Sequence, residues 1–176
     1  MPSQYDKPAF FSRSKEYAGG FAKRGGQSEP REFRMKMDKA FVDSAPVTVE
    51  QYNRLVQEVA KQNPKVAQSM VDDILDGISV QEFAEFARQR GGDIVSDSGA
   101  LVRQAIQRNV GDDVSVFTGA GYNAVDSGRD VWHLTGDGIR LSNALFDPTK
   151  SASRNLLAGV PGVPFVMPSS QGGELY

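Results

Sequence analysis

Residues 48–110 read TVEQYNRLVQEVAKQNPKVAQSMVDDILDGISVQEFAEFARQRGGDIVSDSGALVRQAIQRNV, and this stretch decides the fold. Thr48-Val49-Glu50-Gln51 has the form of a capping box, in which the threonine hydroxyl accepts an early backbone N–H and Gln51 reaches back to the cap. Behind it Val49, Tyr52, Leu55, Val56, Val59 and Ala60 fall on one stripe of the 3.6-residue period. Asn63-Pro64 closes that helix and opens the next, because asparagine suits an N-cap and proline at the first helical position sacrifices no hydrogen bond. Val66, Ala67, Met70, Val71, Ile74 and Leu75 line the second helix, and Gly77 is its left-handed stop. Ser79-Val80-Gln81-Glu82 is a second capping box, followed by Val80, Phe83, Ala84, Phe86 and Ala87 on one face, with Gly91-Gly92 as terminator. A fourth helix starts near Asp97 or Ser98 and runs through Leu101, Val102, Ala105 and Ile106 to Gly111.

Helices this short are marginal alone and need tertiary packing. The expected fold class is therefore mainly α: a small four-helix core over about 48–110, a short β-hairpin appendage, and extended N- and C-terminal arms. The expected division is an extended basic and aromatic arm at 1–40, a mainly helical domain with its β appendage at 41–147, and a Gly/Pro-rich extended tail at 148–176.

Beyond Gly111 the texture changes. Val114, Val116 and Phe117 suggest a short strand, and residues 118–128 read as a glycine-rich loop. Val131-Trp132-His133-Leu134 and Ile139-Arg140-Leu141 flank Thr135-Gly136-Asp137-Gly138, a hairpin signal. A short helix is expected around Arg154 to Ala158. The repeated Gly-Val-Pro after it should be extended, since proline fixes φ and glycine frees it.

Composition narrows the function. Hydrophobic residues make up 39% of the 176, with eighteen glycines and nine prolines, so a sizeable part of the chain is not core. No apolar run approaches the ~18–20 residues of a membrane helix, and no apolar leader marks a classical secretory signal. The expected location is the cytoplasm or the interior of an assembled particle, with no membrane partner. The absence of cysteine excludes disulfides, thiolate metal sites and cysteine nucleophiles. The net charge of −2 hides an asymmetry: residues 1–40 hold nine Lys/Arg and five Asp/Glu, the remainder eleven and seventeen. A basic arm on an acidic body suits a polyanion or an acidic partner surface.

That arm also carries Tyr5, Phe10, Phe11, Tyr17, Phe21 and Phe33, six of the chain's sixteen aromatics, with no sustained period. Disordered linkers are poor in aromatics. These side chains suit, in descending order, a partner's surface, the chain's own helices, and stacking on single-stranded nucleic acid. Phe10, Phe11, Phe21 and Phe33 are the candidate partner-binding anchors.

The catalytic and ligand readings are weaker. His133 is the only histidine, which with no cysteine cannot build the common zinc sites, so no metal or other cofactor is expected. A hydrolase-type site using Asp126, Asp130 and His133 lacks a serine on a strand-to-helix elbow, and His133 beside Trp132 reads instead as a half-buried packing or hydrogen-bonding residue. Gly119-Ala120-Gly121 with Tyr122-Asn123-Ala124 matches G-x-G-x-x-A only superficially, because Val125-Asp126-Ser127-Gly128 reads as a turn and not as a helix. The acidic pairs Asp72-Asp73 and Asp112-Asp113, and the trio Asp126, Asp130 and Asp137, lack EF-hand spacing.

The third and fourth helices invite comparison with a helix-turn-helix, whose second helix would present Arg103, Gln104, Gln107, Arg108 and Asn109 to base edges. The connection from Gly91 to Asp97 is about twice the usual 3–4 residues. The leading expectation is a non-enzymatic structural or assembly protein that binds neighbouring protein subunits through its arms, in the layout of accessory virus-particle (virion) components. The alternative is a nucleic-acid-binding module using Lys23 and Arg24 of the arm with Arg103 and Arg108 of the fourth helix. A hydrolase-type enzyme comes third.

Overall fold

The computed structural model describes residues 9–24, 30, 32–135, 139–141 and 174–175. The chain divides into two compact units, one made of Met1–Ala40 with Ala124–Tyr176 and the other of Phe41–Asn123. In chain order the first elements are β1 (Ala9–Ser12), α1 (Lys15–Arg24), β2 (Phe33–Met35), β3 (Ala40–Val42) and β4 (Val47–Thr48). Then come α2 (Val49–Gln62), α3 (Pro64–Asp72), α4 (Val80–Arg90), β5 (Ile94–Ser96), α5 (Gly99–Asn109) and α6 (Asp113–Gly119). The last are β6 (Ala124–Asp126), β7 (Asp130–His133), β8 (Ile139–Leu141) and β9 (Glu174–Leu175). The architecture is mixed α/β with helices in the majority.

The unit Phe41–Asn123 obeys the local signals. Both capping boxes form: Gln51 N donates to Thr48 Oγ1 at 3.2 Å while Thr48 N donates to Gln51 Oε1 at 2.9 Å, and Ser79 with Glu82 repeats the exchange. Asn63 caps α3 through Val66 N, with Pro64 at the first helical position. α3 leaves regular helix at Asp72, earlier than its apolar stripe suggests, and Gly77 then takes a positive φ of 82°. α2 packs against α3, α4 and α6. Leu55, Val56, Val59, Val71, Phe83, Val116 and Phe117 are all fully buried, each such side chain being worth roughly 1.5–3 kcal/mol of removal from water. Tyr52 buries its ring and donates its hydroxyl to the Met70 carbonyl at 2.9 Å; burial raises its phenol pKa above the ordinary range.

Two local expectations fail in this unit. Val114 to Phe117 is helix, not strand: Asp112 Oδ1 accepts from Ser115 N at 3.0 Å and caps α6, so the Asp112-Asp113 pair is a helix start. The connection between α4 and α5 is not a turn, because β5 lies within it and pairs antiparallel with β4. That pairing removes the helix-turn-helix geometry.

The unit built from the two ends of the chain departs furthest from expectation. β7 lies between β1 and β6 and is antiparallel to both, with Phe11 opposite Val131 and Ala124 opposite His133. β2 lies between β8 and β9, with Phe33 opposite both Leu141 and Leu175. Residues 9–24 and 33–35 are thus strand, helix and strand and not an extended arm, because the strands' hydrogen-bond partners lie a hundred residues or more further along the chain. The hairpin is β6–β7, closed at Gly128 with φ 85°, and not β7–β8, which pair with different strands. Residues 124–141 belong with the N-terminal segment and not with the helical core. Ala9, Phe11, Phe33, Ala124, Val131 and Ile139 form the core here, with Met35, Met37 and Ala40 packed against it. Of the expected C-terminal tail, residues 174 and 175 form β9; the helix at 154–158 and the Gly-Val-Pro repeat lie outside the described residues, as do Tyr5 and Asp137.

Candidate functional site

α1 begins after Ser14, whose hydroxyl accepts from Tyr17 N at 3.2 Å. Glu16 in its first turn, with Lys23 and Arg24 in its last, places each charge at the favourable end of the helix dipole. Backbone hydrogen bonding, and then the Ser14 hydroxyl, hold the Glu16 carboxyl below its usual value. The helix is amphipathic with the sizes reversed. Its small residues, Ala18 and Ala22, are buried at 1% exposure each, while Tyr17 and Phe21 face solvent at 41% and 48%. Tyr17 and Phe21 stand one turn apart, edge to face, with centroids 5.0 Å apart. Arg24 lies over the Phe21 ring at 5.1 Å and Arg129 over the Tyr17 ring at 4.6 Å. Cations over aromatic faces are attracted by the ring quadrupole and hold the rings in place.

On β1 the two-residue period separates the adjacent phenylalanines. Phe11 points into the core at 1% exposure and meets Phe33 edge to face at 5.6 Å. Phe10 points the other way, is 44% exposed, and meets Trp132 at 5.0 Å. Of the four expected anchors, Phe10 and Phe21 are therefore exposed, and Phe11 and Phe33 are not, because the chain's own sheet takes them. Tyr17, which the sequence places among the arm's aromatics but not among the anchors, stands between Phe21 and Arg129, and Trp132 stands against Phe10. The i, i+4 spacing of Tyr17 and Phe21 is the signal, and Gly19-Gly20 between them hides the helix.

The remaining candidates are dispersed. Arg103 donates to Asp43 through Nε at 2.8 Å and Nη2 at 2.7 Å, and its Nη1 donates to Gln107. Hydrogen bonding to Asp43 raises the guanidinium's already high pKa. With side-chain exposures of 14% and 11% the pair is structural, so Arg103 does not reach out to a base edge. Arg108 is exposed and hydrogen-bonds Gln104 at 3.4 Å. Asp126 is engaged by Arg13, Asp130 by Arg129, and His133 is fully buried with Nε2 3.1 Å from the Lys36 carbonyl oxygen. Each of the three is engaged by a different partner. Gly119-Ala120-Gly121 ends a helix and leads into a strand, the reverse of the order that cradles a phosphate. Among the described residues no group of three or more His, Asp or Glu side chains is placed to hold a metal ion, and no helix is long and apolar enough to cross a membrane.

No protein-family model matches the chain, and neither a curated protein nor a solved structure matches it.

Proposed function

We propose that the protein is a non-enzymatic assembly component that binds neighbouring protein subunits through the exposed aromatic surface of residues 9–24, as accessory components of virus particles do. The observation that carries this reading is the reversed helix α1, which buries alanines and offers Tyr17 and Phe21 to solvent. Tyr17 and Phe21 keep a little under half of their surface in water, so of the roughly 150–250 Å² that a whole aromatic side chain can bury, a little under half is left for a partner's apolar pocket to recover. Anchors of binding surfaces are characteristically aromatic or arginine, ringed by energetically neutral contacts. The test is incorporation of Phe10→Ala and Phe21→Ala chains into the native high-mass assembly, measured against wild type by sedimentation and quantitative mass spectrometry. Incorporation should fall sharply at temperatures where circular dichroism shows each variant folded. Neutralising Lys23 and Arg24 should do less, and its effect should vanish at high salt. Unchanged incorporation of the aromatic variants would sink the reading.

A second reading rests on the same surface. Basic side chains interleaved with exposed rings suit stacking of single-stranded nucleic acid. The contribution expected of α5 is reduced to Arg108, since Arg103 is held by Asp43. Affinity for an oligonucleotide should then fall steeply with salt, as phosphate contacts release counterions. Absence of retention at low salt would end it.

A further inference from the structure

Five large hydrophobic side chains are exposed among the described residues, and they fall into two groups of opposite electrical character. Phe10, Tyr17 and Phe21 belong to the unit formed by the two chain ends, which holds thirteen Lys/Arg and ten Asp/Glu, net +3. Ile94 and Leu101, exposed at 52% and 65%, belong to the unit Phe41–Asn123, which holds seven and twelve, net −5.

The immediate surroundings repeat this contrast. Lys23 and Arg24 flank Phe21 and have no ion-pair partner among the described residues. Ile94 sits on β5 and Leu101 in the first turn of α5, and the short connection between them is closed by Ser96 Oγ, which donates to the Ser98 carbonyl at 3.0 Å. Exposed Asp97 lies in that connection, again without an ion-pair partner among the described residues. Exposed aromatic side chains edged with cations that have no ion-pair partner among the described residues, and exposed aliphatic side chains edged with a carboxylate that has none there, are complementary in both apolarity and charge.

We infer that the partner implied under the proposed function is a second copy of this chain: the Tyr17–Phe21 face of one copy seats on the Ile94–Leu101 surface of the next, with Arg24 facing Asp97. This rests on the assembly reading and names its first subunit contact. Because the two surfaces differ, the contact is heterologous, and every bound copy still offers one surface to another, which leads to a ring or an open filament. Tyr17 and Phe21, each a little under half exposed, have less than half of the ~150–250 Å² of an aromatic side chain left to bury, far short of the ~800 Å² per partner typical of a stable interface. Association in dilute solution is therefore weak and concentration-dependent.

The test is sedimentation equilibrium of the full chain over a wide concentration range at low and high salt. Wild type should gain mass with concentration, less so at high salt. Phe21→Ser and Leu101→Ser chains should each self-associate at least about tenfold more weakly, the loss of one anchor. Both changes are at exposed positions, and circular dichroism checks that each chain is folded. An equimolar mixture of the two should form a complex of two chains and nothing larger, since only one intact contact remains between them. Arg24→Asp should weaken association, and adding Asp97→Arg to the same chain should restore it. A monomeric mixture, or a Phe21→Ser chain that associates like wild type, would overturn the inference. If wild type stays monomeric at every concentration yet Phe21→Ser chains still drop out of the native assembly, the second-copy contact fails and the assembly reading stands with another partner. If incorporation is also untouched, both fall. Low-salt binding of a labelled oligothymidylate that Phe21→Ser abolishes would replace the second copy with a nucleic acid.

Discussion

Arg13 and Asp126 lie 113 positions apart and are joined by two hydrogen bonds, Nη1 to Oδ1 at 2.6 Å and Nη2 to Oδ2 at 2.9 Å. Arg13 also donates from Nη1 to the Gly128 carbonyl at 2.8 Å and from its backbone N to the Arg129 carbonyl at 2.9 Å. The residue after β1 thus clamps the turn of the β6–β7 hairpin. The planar guanidinium meets the carboxylate along both of its oxygens, a geometry lysine cannot copy.

The first prediction concerns this pair. The hydrogen bond from Arg13 holds the Asp126 carboxyl below its ordinary value, outweighing the upward push of burial. A depressed carboxylate stabilises the fold fully above its unfolded pKa, about 3.9, and that stability is lost as pH falls through the lower folded value. Arg13→Gln should cost about 1.5–3 kcal/mol at neutral pH, the usual range for hydrogen bonds to charged groups. Urea titrations from pH 7 down to about 3 should show the difference between variant and wild type shrinking below about pH 4. A constant difference across that range would mean Asp126 is stabilised by something other than Arg13.

How far the sequence carries to the fold depends on the separation of the interacting groups. Thr48 with Gln51, Asn63 with Val66 and Ser79 with Glu82 are pairs three residues apart, and the helices they start are legible at once. Asp112 with Ser115 has the same spacing, but Val114, Val116 and Phe117 favour strand by propensity, and that preference hides the cap. The pairings of β1 with β7 and of β2 with β8 leave no local trace. A four-residue strand shows too little alternation to reveal that Phe11 turns inward and Phe10 outward. The surface around α1 is legible as a set of aromatics and cations, but not as a helix face.

The second prediction concerns Arg103, which links Asp43 to Gln107, whose Nε2 in turn donates to Asp113 at 2.9 Å. Arg103→Ala leaves the Asp43 carboxylate, 11% exposed, without its cation, at a cost on the order of 3 kcal/mol. Arg103→Lys should recover only part of this, because one ammonium cannot serve both Asp43 oxygens and Gln107. Thermal denaturation of the three chains should rank them wild type, lysine, alanine. An alanine variant as stable as wild type would show that the pair is not structural and would make Arg103 a contact residue again.

The third prediction concerns His133. It is fully buried on the core face of its sheet, with Nε2 close enough to donate to the Lys36 carbonyl. Glutamine can make the same donation but cannot reproduce the ring's shape, so His133→Gln should cost roughly 1–3 kcal/mol through lost packing and a strained hydrogen bond. It should leave incorporation into the native assembly unchanged at temperatures where the variant is folded. A folded variant that has lost function would count for the hydrolase reading.

The last prediction sets two glycines against each other. A Cβ at Gly99 would stand 2.5 Å from the Val42 carbonyl oxygen and 3.2 Å from the Phe41 ring. Neither can retreat easily. The backbone there is held by Gly99 N donating to the Ala45 carbonyl and Ala100 N to the Asp43 carbonyl, and Phe41 is wedged against Phe117 and Tyr122 at 5.1 and 5.3 Å. Gly99 is thus what lets the start of α5 lie directly on the strand that carries Phe41. Gly99→Ala should destabilise by about 1–3 kcal/mol, the ordinary cost of overpacking, even though alanine is the better helix former. At Gly20, inside α1, a Cβ meets nothing within 4 Å. Gly20→Ala should therefore stabilise by up to about 1 kcal/mol, through helix propensity and a less flexible unfolded chain. Chemical denaturation of both variants reads the two signs directly. If Gly20→Ala instead lowers incorporation into the assembly while raising stability, the open space beside that glycine is where a partner's backbone approaches α1. If Gly99→Ala is neutral, the close approach of α5 to Phe41 and Val42 is not what fixes that helix.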